Sequence, residues 1–129
     1  MVIIGAGNLG HALANYSAFE KRGFVLEGMF DVNPELIGME VRGIPVQSME
    51  ELEAFLESHP FDIGVLTVPK SAVVEIANTL VKHGVKAIWN FAHTDLNLPE
   101  DVIVENVHLS ESLMRLSYNI ARYKEEHNQ

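Results

Sequence analysis

A glycine-rich turn and one carboxylate are the residues of this sequence best suited to bind a dinucleotide. Gly5-Ala6-Gly7-Asn8-Leu9-Gly10 fits the pattern G-x-G-x-x-G and directly follows the apolar run 1–4. The first glycine of such a pattern makes a tight turn, the second lets the backbone approach a pyrophosphate, and the third lets helix and strand pack closely. The helix that follows offers unpaired N–H groups and partial positive charge to phosphate. The pattern therefore predicts a phosphate-binding turn between a strand and a helix.

The carboxylate is Asp31, which lies 21 residues beyond Gly10 at the end of the next apolar run. A carboxylate at this position accepts hydrogen bonds from the ribose hydroxyls of NAD and repels the 2′-phosphate of NADP. The ten residues after Asp31 contain no arginine that could bind such a phosphate. NAD and NADH are therefore the predicted ligands. The alternative interpretation is a structural glycine turn with an unrelated aspartate.

Two further segments end predicted strands, namely Thr67-Val68-Pro69 and Asn90-Phe91. Ligands of open α/β sheets bind beyond the carboxyl ends of the strands, so we expect both segments to line the same crevice. A purely structural interpretation is also open, in which Pro69 precedes a helix and Phe91 fills the core.

Residues for catalysis or metal binding are poorly represented. A dehydrogenase needs a general acid or base, often histidine, beside the nicotinamide. Of the six histidines, only His93 and His108 lie near predicted strand ends, and His11 lies just inside the first helix. The chain has no cysteine, no His-x-x-x-His pair and no nucleophile elbow. We therefore predict no catalytic residues, no metal site and no enzyme activity.

Short apolar runs alternate with amphipathic stretches, which is typical of a parallel sheet covered by helices. The fold class predicted is α/β, with a Rossmann-type doubly wound parallel sheet and a C-terminal dimerisation helix. The predicted strands are 1–4, 24–30, 44–46, 63–67, 85–90 and 102–104.

Helix signals separate these strands. The first helix is predicted at 9–16, and Ser48 with Glu51 forms a capping box for a helix that ends before Pro60. A third helix has the apolar stripe Val73, Ile76, Ala77, Leu80 and Val81, with Gly84 as its stop. A last helix, capped by Ser110, places on one face the residues Leu109, Leu113, Leu116 and Ile120.

The composition limits the partners. With 129 residues the chain suits one domain, and no apolar run reaches the roughly 18 residues of a membrane helix, so a cytoplasmic protein without membrane partners is expected. The net charge of −9 opposes binding to DNA, whose affinity for proteins comes from Lys and Arg. Because only four residues precede Gly5, fewer than a Rossmann first strand usually has, we expect further chain upstream.

Six segments of the sequence form a recognisable set. They are Val2–Gly10, Tyr16 with Phe19, Phe30–Val32, Leu66–Pro69, Asn90–Ala92 and Val104–Val107. In this order they resemble the Rex family of bacterial redox-sensing transcriptional repressors. The resemblance covers nearly the whole chain, and the Thr-Val-Pro and Asn-Phe-Ala segments are more specific than the glycine pattern.

The resemblance implies a subunit of two domains, of which this chain has the second. Residues 1–109 would form the NAD(H)-binding Rossmann domain, and 110–129 a helix that swaps onto the partner of a homodimer. A winged-helix domain upstream would bind operator DNA, and NADH would displace NAD⁺ and release that DNA. The structural alternative for the last helix is ordinary packing on its own sheet.

The resemblance also assigns roles to residues. Gly5, Gly7, Asn8, Leu9 and Gly10 would hold the pyrophosphate. Asp31 would take the adenosine ribose, and Val32 after it would also belong to the cofactor site. The pocket would be lined by Thr67, Val68, Pro69, Asn90 and Phe91, and Tyr16 would lie near the nicotinamide.

Two positions depart from the family pattern. The family usually has Asp where this chain has His108, and Pro where it has His93. The family uses the first of these positions to couple Tyr16 to the partner subunit, so the resemblance implies a redox switch that is altered or that responds to pH.

Two other functions remain open on the sequence. One is a truncated NAD-dependent dehydrogenase that lacks its substrate domain. The other is a CoA-binding domain of the succinyl-CoA synthetase type, which shares the strand-glycine-helix opening. Asp31 favours NAD over CoA, and the missing acid or base favours sensing over turnover.

Overall fold

Seven strands form one sheet within the residues that the computed structural model describes. These residues are 1–92 and 94–127, with side chains for all except Ser17 and 109–111. The order across the sheet is β3-β4-β2-β1-β5-β6-β7. The strands are β1 Val2–Ile4, β2 Gly28–Asp31, β3 Glu40–Val41, β4 Ile44–Ser48, β5 Ile63–Leu66, β6 Ala87–Asn90 and β7 Ile103–Asn106.

The six strands from β4 to β7 in this order are parallel, with β1 at the centre. Ile3 of β1 pairs with Met29 on one side and with Val65 on the other. Chain order therefore reverses between β1 and β5, which is the switch point at which a doubly wound sheet opens its ligand crevice. The predicted Rossmann-type fold is confirmed.

Five helices and one 3₁₀ turn, Met49–Glu51, connect these strands in the described part of the chain. Ser48 caps the 3₁₀ turn as predicted, but its Oγ accepts from the N–H of Glu50, at 3.3 Å, rather than from that of Glu51. The helices are α1 Asn8–Ala14, α2 Ser17–Lys21, α3 Leu52–Ser58, α4 Lys70–Lys82 and α5 Leu109–His127.

Several local elements differ from the sequence prediction. The first helix, predicted at 9–16, ends at Ala14, and the short helix α2 that follows it was not predicted. The second strand begins at Gly28 instead of Phe24, because the backbone N–H of Phe24 bonds to the carbonyl of Phe19 and ends α2. The antiparallel strand β3 was not predicted at all. It pairs with β4 through a tight turn at Arg42 and Gly43, whose φ angles of 54° and 81° are those of a two-residue hairpin loop.

The central strands β1, β2 and β5 are buried on both faces. Val2 and Ile4 point into a cluster with Leu80 of α4, whereas Ile3 points into a second cluster with Ala14 of α1. A strand covered on both sides needs apolar residues at every position, which explains the unbroken apolar run of β1. The stripe predicted for α4 is confirmed, and Gly84 follows with a φ of +96°.

Helix α5 leaves the sheet instead of covering it. Every side chain that is described on this helix, from 112 to 127, is exposed, so the alternative of ordinary packing on its own sheet is wrong for this structure. The helix begins at Leu109, which places Ser110 in its first turn and not ahead of it as predicted. Among the described residues, no helix is long and apolar enough to cross a membrane.

The glycine turn gives a direct test of the fold. A Cβ at Gly10 would lie 1.8 Å from the carbonyl oxygen of Gly5, whereas a Cβ at Gly7 would meet nothing within 4 Å. We expect Gly10→Ala to lower the free energy of unfolding by about 1–3 kcal/mol or more, because helix and turn must separate. Gly7→Ala should cost less than about 1 kcal/mol, since alanine is only a poorer N-cap.

Urea unfolding followed by circular dichroism measures both variants against the parent chain. Equal losses at the two glycines would contradict the close packing of α1 on the turn.

Candidate functional site

A cavity of about 290 Å³ opens at the carboxyl ends of β1, β2 and β5. A cavity of this size with apolar walls and few polar groups is typical of a small-molecule site. It brings together predicted residues from three parts of the sequence, namely Gly5, Gly7, Asp31, Val32, Thr67, Val68 and Pro69. Sequence reasoning did not identify Asn33, Leu36, Met49, Ala72 and Ile76, which also line it and carry no motif.

The glycine turn is held by side chains from both neighbouring strands. On the β5 side, the Thr67 hydroxyl lies 2.7 Å from the carbonyl oxygen of Gly5 and 3.1 Å from that of Ile4, and it donates to them. On the β2 side, Asp31 Oδ2 accepts from the N–H of Ala6 at 2.6 Å. The turn therefore has a fixed shape before any ligand arrives, which lowers the ordering cost of binding.

Gly5 has no room for a side chain in this arrangement. Its φ is +104°, and a Cβ would lie 2.6 Å from the Thr67 hydroxyl oxygen. Gly7, in contrast, is exposed and its Cα faces open space toward the cavity. The three glycines thus divide their roles as the pattern predicts: tight turn, open approach and helix packing.

Asp31 has a structural role in addition to the predicted one. Its Oδ1 accepts from the N–H of Asn33 at 2.8 Å, so each carboxylate oxygen already holds one backbone N–H. Each oxygen retains a second lone pair, which leaves two acceptors for ribose hydroxyls. Arg42, the first arginine after Asp31, pairs with Glu20 at 2.6 Å and lies at the opposite end of the sheet.

Asn90 and Phe91 do not line this cavity. Asn90 is completely buried, and its side chain bonds to other protein groups. The ring of Phe91 packs against Trp89 at 4.8 Å, in the cluster that contains Ile3. Their backbone still adjoins the site, because the N–H of Phe91 bonds to the carbonyl of Leu66.

Tyr16 lies away from the cavity. It lines a separate hollow of about 130 Å³ beside Met1 and Leu26, at the amino ends of the strands. A series of edge-to-face ring contacts nevertheless joins it to Phe91, from Tyr16 to Phe19 at 4.7 Å, then to Trp89 at 5.7 Å. Tyr16 therefore lies apart from the other predicted residues and is connected to Phe91 only indirectly, through three successive ring contacts.

The charged groups elsewhere are peripheral. Within residues 1–92 and 94–127, no three His, Asp or Glu side chains are grouped closely enough to hold a metal ion. At the amino ends of β6 and β7, Lys86 Nζ lies 2.6 Å from Asp101 and lowers the pKa of that exposed carboxyl. His108 is exposed, and His93 lies outside the described residues.

Known proteins match this chain along most of its length. A family described as the CoA binding domain matches residues 1–94. The redox-sensing transcriptional repressor Rex of Clostridium novyi (strain NT) is 52% identical over 118 residues, which are 92% of this chain and 56% of that protein.

Two solved structures of RSP, a Rex-family repressor, are also 52% identical and cover 97% of this chain. The complex with beta-NADH has a TM-score of 0.87, and the complex with beta-NAD+ and operator DNA has one of 0.86. This chain covers 59% and 56% of those two chains, so it spans just over half the length of the proteins it matches.

The resemblance carried by the six sequence segments is thereby confirmed. The chain belongs to the CoA binding domain family, and along nearly its whole length it is similar in sequence and fold to the Rex-family redox-sensing repressors.

Proposed function

We propose that this chain is the NAD(H)-sensing regulatory domain of a redox-responsive transcriptional repressor. The observation that carries the proposal is the cavity at the switch point. There the open Gly7 lies on a turn already fixed in shape, and the Asp31 carboxylate beside it keeps one unused lone pair on each oxygen. A relative 52% identical and alike in fold has been solved with beta-NADH. The relatives are named as repressors, and we propose regulation rather than catalysis.

The ligand would lie across the glycine turn. Its pyrophosphate would approach Gly7, where no atom obstructs the backbone, and Asn8, Leu9 and Gly10 would follow beneath it. The adenosine ribose would donate to Asp31, beside Val32. Thr67, Val68 and Pro69 would form the opposite wall.

Asn90 and Phe91 would border the ligand with their backbone, while their side chains hold that backbone in place from inside the protein. Tyr16, at the far end of the ring series, would respond to the nicotinamide through those contacts or from a partner subunit.

CoA is the competing ligand, since the matching family is described by it. Both molecules contain adenosine and a pyrophosphate, so the glycine turn does not distinguish them. CoA carries a phosphate on the adenosine ribose, and Asp31 would repel it just as it would repel the 2′-phosphate of NADPH. The geometry around Asp31 therefore supports NAD and NADH over CoA.

DNA would be bound by a winged-helix domain outside these residues. A Rex-family structure includes operator DNA, whereas this chain has a net charge of −9. NADH binding would release the operator. Since a repressor works where bacterial DNA lies, we place the protein in the cytoplasm.

A homodimer formed through residues 110–129 completes the proposal. Leu113, Leu116 and Ile120 are 67%, 56% and 46% exposed in the single chain. Burying each side chain of this size gains about 1.5–3 kcal/mol. A helix exchanged between two copies gives the self-complementary contact of a two-fold dimer.

The first test concerns the cofactor. We expect the chain to bind NADH more tightly than NADPH or CoA by tenfold or more, roughly 1.4 kcal/mol of charge repulsion. Asp31→Asn should narrow the difference, because the negative charge is gone. Its single amide oxygen keeps one of the two backbone bonds, to Ala6 or to Asn33, and the other bond is lost. Isothermal titration calorimetry measures the three affinities.

Gly7→Ala tests where the pyrophosphate lies, since the fold has room for the added methyl group but the pyrophosphate would occupy the same space. It should lose NADH binding with little change in the free energy of unfolding. Equal affinities for NADH and NADPH in the parent chain would contradict the role of Asp31.

The second test concerns assembly. We expect a dimer at tens of micromolar by light scattering, and a monomer for Leu116→Lys, because the charge would be buried in the interface. Arg115→Lys, on the charged face of the same helix, is the control and should remain dimeric. A monomeric parent chain would refute the exchange of α5.

The third test concerns DNA. The isolated chain should form no discrete complex with operator DNA at physiological salt, because its surface is strongly acidic. A gel shift with excess nonspecific competitor measures this. A complex that resists the competitor would place DNA-binding residues within 1–129.

A further inference from the structure

Asn90 is the only polar side chain in the described residues that is completely buried, and all its contacts are internal. Its Nδ2 donates to the carbonyl of Thr94 at 3.0 Å and to Asn106 Oδ1 at 2.9 Å. Its Oδ1 accepts from the N–H of Ala92 at 3.0 Å. These three bonds use both donors of the amide and one lone pair of its oxygen.

The partners of Asn90 belong to two different parts of the molecule. Ala92 and Thr94 lie in the segment that follows β6, next to the carboxyl end of β5 where Thr67 enters the site. Asn106 is the last residue of β7, three positions before α5 begins. The backbone carbonyl of Asn90 also accepts from the N–H of Val107 at 2.9 Å.

The bonds of a buried amide depend on one another. When a buried amide loses a hydrogen bond, no water replaces the lost partner, so the full free energy of that bond is lost. The amide therefore rotates to find another partner, or its bonded partners move with it. If the end of β7 moves, Nδ2 must give up Asn106 or rotate, and rotation withdraws Oδ1 from Ala92. Conversely, if Ala92 or Thr94 moves, the Asn90 amide must rotate or lose a bond, and rotation withdraws Nδ2 from Asn106.

We propose that Asn90 is a positioning residue that ties the segment after β6, through Ala92 and Thr94, to the start of α5. A displacement of that segment when a ligand binds is thereby passed to the helix exposed for assembly, and α5 in turn biases the site. The connection between two segments stands on the hydrogen bonds alone. Its use in sensing rests on the proposed function.

The variant that isolates the connection is Asn106→Leu, which removes the acceptor of Asn90 Nδ2. Asn106 is exposed, so its side chain is not part of the hydrophobic core. Asn106→Asp is the matched control, because its carboxylate still accepts from Asn90. Hydrogen exchange of individual amides, measured by NMR without ligand, reports on both segments.

We expect Asn106→Leu to speed exchange of the Ala92 amide about fivefold, the effect of losing one hydrogen bond, although Ala92 is remote in sequence from the substitution. Asn106→Asp should change it by less than about twofold, and amides of β1 should be unaffected in both. The inference is overturned if Ala92 exchanges alike in all three chains, or if the two variants speed it equally.

A second measurement separates this inference from the proposed function. In the parent chain and in Asn106→Asp, binding of NADH should change the exchange rates of the amides at 107–112. Asn106→Leu should bind NADH with an affinity within about threefold of that of the parent chain, but binding should leave the exchange rates of those amides unchanged. An NADH response that persists in Asn106→Leu would overturn the sensing role. If the parent chain binds no NADH, the proposed function is wrong. The connection between the two segments is then tested by the exchange rate of the Ala92 amide in the parent chain and the two variants.

Discussion

The hydrogen bonds that fix the glycine turn are the constraint on which the rest of the site depends. Thr67 donates to the turn from β5, and Asp31 accepts from it on the β2 side, so three adjacent strand ends are joined at one point. Gly10 must then pack against Gly5, which sets where α1 leaves the sheet. The cavity, the open face of Gly7 and the position of the Asp31 carboxylate all follow from this one junction.

Patterns of residues close in sequence predicted most of the fold. The unbroken apolar run of β1 and the stripe of α4 reflect burial that each element shows in its own residues. The start of β2 was misplaced because Phe24 is apolar yet belongs to the turn after α2, and no residue pattern marks that difference. The strand β3, two residues long, is too short to have a period and exists only because β4 pairs with it.

The candidate site was predicted in part for the same reason. Glycines that meet a steric need, and a carboxylate at a fixed spacing, can be recognised without coordinates. The second role of Asp31, as a support for the turn, could not be, because it depends on the 2.6 Å approach of Ala6. Asn90 was interpreted as a lining residue because it ends a strand, yet it is completely buried and bonds to Ala92, Thr94 and Asn106 instead. A strand-end position predicts proximity to a crevice but not the direction of the side chain.

Helix α5 has a thermodynamic consequence. It has 19 residues, and its described side chains lie in solvent. Most of the stability of a helix in a protein comes from tertiary packing of its apolar face, and α5 has no such packing in the single chain. In a single chain the segment would therefore exchange between helix and coil. If two chains exchange α5 as proposed, folding of Leu109–His127 and association of the chains become one equilibrium, so that dilution melts the helix while the sheet stays intact.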